Sequence, residues 1–313
     1  MITIHRYQSS YQEAWNKFVA DAKNGHFLFD RKYMEYHADR FEDYSLLFFN
    51  NDKLVALLPA CTKDEYIISH DGLSFGGILS TSSMKIALMM DLFDNLITYL
   101  SKYQFKRLIY KVIPHIYHSI PAEEDLYAIY RCNGKIIRRD ANSVINLQQK
   151  IKFAKGKNEG IKKAIKSGLC VCESKDFYSL FKIGDQILDK KYRKKTTHTA
   201  EEMQILANNF PENIKLFVAY KEENNILSGV IIYEYRDIVH TQYMFNAEEG
   251  MICGALDIIL YYLIHEHYNH KKYFSFGIST DQDGLYLNQG LANYKELFFA
   301  RTIVQDFYEL PLF

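Results

Sequence analysis

The chain has 313 residues, of which 48% are hydrophobic, 24% charged and 15% aromatic. That balance excludes a disordered or fibrous chain and gives core material for about two domains. Lys and Arg number 38 and Asp and Glu number 38, so the formal net charge is zero. A protein that coats nucleic acid through its overall charge is excluded, and any polyanion contact must be local.

The five cysteines, Cys61, Cys132, Cys170, Cys172 and Cys253, are odd in number and lack C-x-x-C spacing. A reduced, intracellular chain is expected. The opening residues carry no signal-peptide apolar region, and the longest apolar run, near Met251 to Ile264, is too short to span a bilayer. A cytoplasmic protein without a membrane span is expected.

In chain order, Ser45 to Pro59 reads as strand, polar turn and strand. A helix follows over Met84 to Leu100, with Ile86, Met89, Met90, Phe93, Leu96 and Ile97 at helical spacing. A strand over Lys106 to Ile113 comes next. Leu216 to Tyr235 repeats the hairpin, Ile238 to Phe245 is a strand, Gly254 to His267 a helix, and Lys272 to Ser279 a further strand. The repeat of hairpin, helix and strand predicts two mixed α/β modules with helices on the sheet faces. Their expected limits are residues 1–148 and 149–313.

Charge gathers at the junction. From Lys150 to Lys195 there are fourteen Lys or Arg against five Asp or Glu. Such a run is either a solvated helix face or a polyanion site. Lys155, Lys157 and Arg193 are the candidates for the second role. The histidines His265, His267 and His270 miss the spacing of a helical metal motif, and no metal is expected. His70 and Gly76 lie in a glycine-rich polar loop, Ser69 to Gly77, that suits either ligand contact or a tight turn.

The C-terminal third carries the most distinctive residues. A strand ending Phe276-Gly277-Ile278-Ser279 is followed by Gly284-x-x-Leu287-Asn288-x-Gly290-Leu291 and then Lys295-Glu296-x-Phe298-x-Ala300-Arg301. With Lys155 to Leu169, Tyr192 to His198, Val239 to Tyr243 and Ser69 to Gly77, these resemble the Fem-type branch of the GNAT acyltransferase superfamily. The resemblance implies tandem GNAT-like modules. It implies transfer of an acyl group, acetyl or aminoacyl, to an amine of a phosphate-bearing cell-envelope or polysaccharide precursor such as a nucleotide sugar. The implied donor is acyl-CoA or aminoacyl-tRNA, which leaves tRNA as one partner to be tested. The alternative is a non-catalytic GNAT-fold ligand-binding protein.

In a GNAT module two parallel strands splay and the donor arm enters between them; here these would be Ile238 to Phe245 and Lys272 to Ser279. Strand alternation puts His240 and Gln242 on one face and Tyr243 on the other, so one set should line the acceptor pocket. Donor pyrophosphate ordinarily sits at a helix N-terminus on a Q/R-x-x-G-x-G/A loop. This chain offers Gly250 and Gly254, with Met251 in place of the basic or amide residue and Leu256 in place of the small one. Placing Asn288 on the Asn of the usual final-helix motif puts Lys295 on its proton-donating Tyr. Lys295, His240 and Gln242 are thus the catalytic candidates. His198, Tyr243 and Asn288 join His70, Gly76, Lys155, Lys157 and Arg193 as candidates for substrate contact. Fem-like chains keep a glycine where this one has Phe299.

Overall fold

The computed structural model describes residues 1–192, 196–221 and 225–312. Two compact units divide the chain. The first holds Met1–Asp140, Asp281–Tyr286 and Val304–Phe313; the second holds Ala141–Thr280 and Leu287–Ile303. All five cysteines are free, and no helix among the described residues is long and apolar enough to cross a membrane.

In the first unit, β1 (Ile2–Arg6) leads to α1 (Gln12–Asp21), then to β2 (Leu46–Asn50), β3 (Lys53–Leu58), β4 (Cys61–Lys63), β5 (Tyr66–Ile68) and β6 (Leu79–Ser80). Helix α2 (Ile86–Lys102), β7 (Arg107–Lys111) and α3 (Glu124–Arg131) complete the run. Strands β1, β2, β3 and β6 form one antiparallel sheet. In a second sheet β7 lies between β5, which is parallel to it, and the last strand, Arg301–Pro311, which is antiparallel. Helix α2 buries Met89, Leu92, Phe93, Leu96 and Leu100, the i, i+3, i+4, i+7 stripe of an amphipathic helix.

One polar pair sits inside this core. Tyr110 Oη donates to Asp125 Oδ2 at 2.5 Å and accepts from the backbone N–H of Ile78 at 2.6 Å. Burial raises the Asp125 carboxyl from 3.8 to about 6. The folded state therefore holds this proton more tightly than the unfolded chain. Stability from this group is fullest below about pH 4 and is lost as pH rises through 6. Asp125→Asn keeps an acceptor for Tyr110 without the charge. The Tm of the variant, taken relative to wild type across pH 3.5 to 7.5, should climb between pH 4 and 6 and then level off; a flat difference would show that the carboxyl ionises normally.

In the second unit β8 (Lys135–Asn146) brings the chain in. There follow α4 (Lys155–Lys166), β9 (Cys170–Ser174), α5 (Phe177–Tyr192), α6 (Ala200–Asn209), β10 (Ile214–Tyr220), β11 (Ile226–Tyr235) and β12 (Ile238–Asn246). Then come α7 (Glu248–Cys253), α8 (Ala255–Tyr262), β13 (Tyr273–Ile278) and α9 (Gln289–Glu296), after which β14 (Arg301–Pro311) returns the chain to the first unit at Val304. The sheet order is β9-β10-β11-β12-β13-β8. Every neighbouring pair is antiparallel except β12 and β13, which α7 and α8 connect as a parallel pair. The predicted helix over Gly254 to His267 is α8 followed by a π-turn at Leu263–His267. Its apolar sequence lets α8 bury Ala255, Leu256, Ile259 and Leu260 against the sheet and α4. Helix α4 in turn buries Ile161 and Ala164 and leaves Lys155, Lys162, Lys163 and Lys166 exposed. Helix α6 starts on a reciprocal cap between Thr199 and Glu202.

Candidate active site

Strands β12 and β13 pair at Ile238 with Tyr273, Val239 with Phe274 and His240 with Ser275, and no further. Both continue beyond that point, β12 to Asn246 and β13 to Ile278. Each strand carries an irregularity where they part. On β12, Ile231 faces Tyr243 and Ile232 faces Thr241, so Gln242 is an extra residue, a β-bulge. The strict alternation that would give His240 and Gln242 one face thus ends at Thr241. On β13 the register against β8 breaks between Ser275 and Ile278, with Gly277 at φ 73°. A side chain at Gly277 would also crowd His240, whose Cε1 lies 3.1 Å from the position of a Cβ. Glycine meets both demands.

Lys295 reaches the end of β13 from α9. The helix begins at Asn288, whose side chain accepts from the N–H of Leu291 at 3.0 Å. Two turns later the Lys295 ammonium donates to the carbonyls of Gly277 at 3.0 Å and Ile278 at 2.6 Å. Lys295 is only 2% exposed, so it is buried rather than standing in open solvent. No carboxylate pairs with it among the described residues, and burial lowers its pKa to about 8. An ammonium has three N–H donors, and two are used on these carbonyls.

A polar chain runs beside it. Ser275 Oγ donates to Asn142 Oδ1 at 3.2 Å and receives the N–H of Gly277 at 3.3 Å. His240 Nδ1 lies 3.1 Å from the same Oγ. With the serine proton given to Asn142, Nδ1 is the protonated ring nitrogen, which assigns the lone pair to Nε2. Burial, with help from the charge of Lys295, pushes His240 down to about 4. The ring is therefore neutral at physiological pH. Asn142 and Ser275 carried no signal in the sequence; sheet register alone brings them to His240.

The bulge brings Tyr243 to the face of His240, since their partners Ile231 and Tyr233 lie two residues apart on β11. Tyr243 Oη accepts the backbone N–H of His198 at 3.2 Å and lies 2.7 Å from its Nδ1. The Tyr243 ring packs on Phe181 and Phe245, and burial raises its phenol. Tyr243 and His198 thus form one hydrogen-bonded pair. Arg193 lies outside the described residues.

The helix N-terminus expected to take pyrophosphate is already filled. Met251 lies inside α7, not in a loop, and α7 runs directly into α8 through Gly254 at φ 80°. A Cβ on Gly254 would collide with the carbonyl of Gly160 in α4. A Cβ on Gly250 would collide with the carbonyl of Leu227. In the first turn of α8, Asp257 pairs with Lys157 at 2.9 Å, and its carboxylate lies against Gly160. Lys157 also sits over the rings of Tyr294 and Phe298 at 4.1 and 4.9 Å. Its charge is spent inside the fold, whereas Lys155 is 93% exposed. The residues here do not fit a pyrophosphate. Gly254→Ala combines a disfavoured φ with a backbone collision. It should cost about 2 kcal/mol or more, read as a fall in the midpoint of denaturant unfolding; an unchanged midpoint would mean that α4 is not seated on Gly254.

In the first unit the matching strands do not part in this way. After Ile68 pairs with Ile109, Ser69 N–H donates to Ile109 O at 2.9 Å and Gly76 N–H donates to Lys111 O at 3.0 Å. The Ser69 to Gly77 loop therefore stays on the edge of β7. Lys111, buried, donates to the carbonyls of His70 at 3.1 Å, Asp71 at 3.3 Å and Leu73. His70 is itself buried, at φ 54°, and held near 3 by burial and by His37. His70 and Gly76 are thus packed into their own loop.

Phe299 has φ 76°, a conformation that favours glycine. The ring of Phe299 is covered by Arg301 at 5.0 Å.

No family profile matches the sequence, and no curated protein does. Solved structures do match. FemX shares 10% identity, with 99% of this chain and 97% of that one covered, at a TM-score of 0.67. L-PGS from Bacillus licheniformis shares 12%, with 98% and 92% covered, at 0.57. A tandem GNAT protein from the clavulanic acid biosynthesis pathway shares 9%, with 100% and 99% covered, at 0.51. At these identities the likeness establishes the fold alone: a mixed α/β chain folded like FemX and the tandem GNAT protein.

Proposed function

We propose that the protein is an acyltransferase whose chemistry lies in the second unit, where β12 and β13 part beside Lys295. The parting carries the reading. It leaves β12 beyond His240 unpaired with β13, an edge for a donor arm to bond, next to a buried ammonium and a neutral imidazole. An acceptor amine attacks the acyl carbon, a C–N bond forms, and the bond to the carrier breaks. The remaining N–H of Lys295 stabilises the oxyanion or the leaving group, and His240 Nε2 accepts a hydrogen bond from the amine. No nucleophilic side chain is needed.

The acceptor we propose is an amine on a phosphate-bearing cell-envelope or polysaccharide precursor, handled in the cytoplasm. Between the two donor classes, the packing of Asp257 and Gly160 at the start of α8 argues against CoA. An aminoacyl ester on tRNA needs no pyrophosphate there. The exposed lysines of α4 supply a basic face for RNA phosphates. That same filled helix terminus favours a second reading, a GNAT-fold protein that binds a ligand without turning it over.

A thermal-shift panel of S-acetylpantetheine, acetyl-CoA, UDP-sugars and uncharged tRNA separates these. Stabilisation by tRNA or by S-acetylpantetheine, with none by acetyl-CoA beyond its pantetheine arm, is expected. No shift with any of them would defeat the donor reading. Turnover of a bound donor by wild type would dispose of the non-catalytic alternative.

Lys295→Met should lower turnover about 10²–10⁴-fold, well beyond the fall in Tm expected from leaving the Gly277 and Ile278 carbonyls without their donor. Because the ammonium is lost as pH rises through about 8, wild-type turnover should fall above that pH. Lys295→Arg, where active, should hold its rate to higher pH. Full turnover in Lys295→Met would make the residue structural. Replacing Lys155, Lys162 and Lys163 with Gln should weaken tRNA binding at low salt and flatten its salt dependence, measured by filter binding across 50–300 mM salt; an unchanged slope would return α4 to a solvated face.

A further inference from the structure

Buried polar atoms without partners are costly, about 1–3 kcal/mol each, so those that persist mark places where something else completes them. Thr241 is one. It is 5% exposed, and its Oγ1 has no hydrogen-bond partner among the described residues. Its position is specific. It is the first residue of β12 beyond the last parallel pair with β13, and the last before the Gln242 bulge. Alternation puts it opposite His240, on the face where Val239 joins the core beneath α8. A threonine here is not a packing choice. Valine has the same shape and would leave no hydroxyl to satisfy.

We propose that the Thr241 hydroxyl binds the acyl donor, donating to a carbonyl of the arm that enters between β12 and β13. Thr241 then holds the donor from the α8 face while His240 meets the acceptor from the other. The ligand it selects is a carbonyl-bearing arm, an amide or an ester, from either carrier class. This inference rests on the donor entering at the parting of these strands.

The test compares wild type, Thr241→Val and Thr241→Ser with two probes, S-acetylpantetheine and alanyl-tRNA carrying a non-hydrolysable 3′-amide. In the unliganded protein Thr241→Val should melt at or above the wild-type temperature, because a methyl replaces an unpaired hydroxyl. Its affinity for whichever probe wild type binds should fall about three- to tenfold, and Thr241→Ser should recover most of it. The probe that responds identifies the carrier. Unchanged affinity in Thr241→Val, or a Tm several degrees lower without ligand, would overturn the role of Thr241 alone. Failure of wild type to bind either probe would overturn it together with the donor site.

Discussion

The second unit is organised around two parallel strands that stop pairing after three residues. A sheet that opens leaves backbone groups without ladder partners, and side chains take their place here. Lys295 takes the carbonyls of Gly277 and Ile278, and Ser275 Oγ takes the N–H of Gly277. The bulge at Gln242 and the positive φ of Gly277 bend the two strands apart. The first unit starts from the same strand order, yet Ser69 and Gly76 remain bonded to β7. One chain thus holds an opened and a closed version of one arrangement.

Each version contains a buried lysine with no carboxylate in salt-bridge contact among the described residues, although the Asp71 charge still acts on Lys111. Lys111 and Lys295 each point their ammonium at backbone carbonyls, and burial lowers each to about 8. A carbonyl cluster satisfies the N–H donors without cancelling the charge. The positive field survives, next to a loop in one unit and next to the open strands in the other. Lys157 shows the opposite treatment: Asp257 neutralises it, and two rings cover it.

Much of the architecture was legible in the residues. The hairpins, the α2 stripe and the parallel strands follow from apolar periodicity, whereas Lys295 was singled out through the resemblance, by aligning Asn288 with the family's final-helix motif. The parting was anticipated only through resemblance, because a bulge and a broken register leave no mark in composition. Lys155 and Lys157 look alike in a basic run. Only the fold turns one outward and brings Asp257, a hundred residues away, to the other. Asn142, Ser275 and Thr241 were likewise silent, since a small polar residue gains meaning only from what does or does not face it across a sheet.

The order of synthesis gives the strand topology a further consequence. The first unit's sheet includes Phe307 to Pro311, paired with Arg107 to Lys111, and Leu310 and Leu312 lie in its core. An N-terminal half emerging from the ribosome therefore lacks a strand of its own sheet, and β7 presents a bare edge until residues 304–312 follow. The second unit, Ala141–Thr280 with Leu287–Ile303, has all of its residues out before that moment. The half made first is the half that finishes last, and its unpaired edge is the chain's exposure to aggregation or chaperone capture during translation.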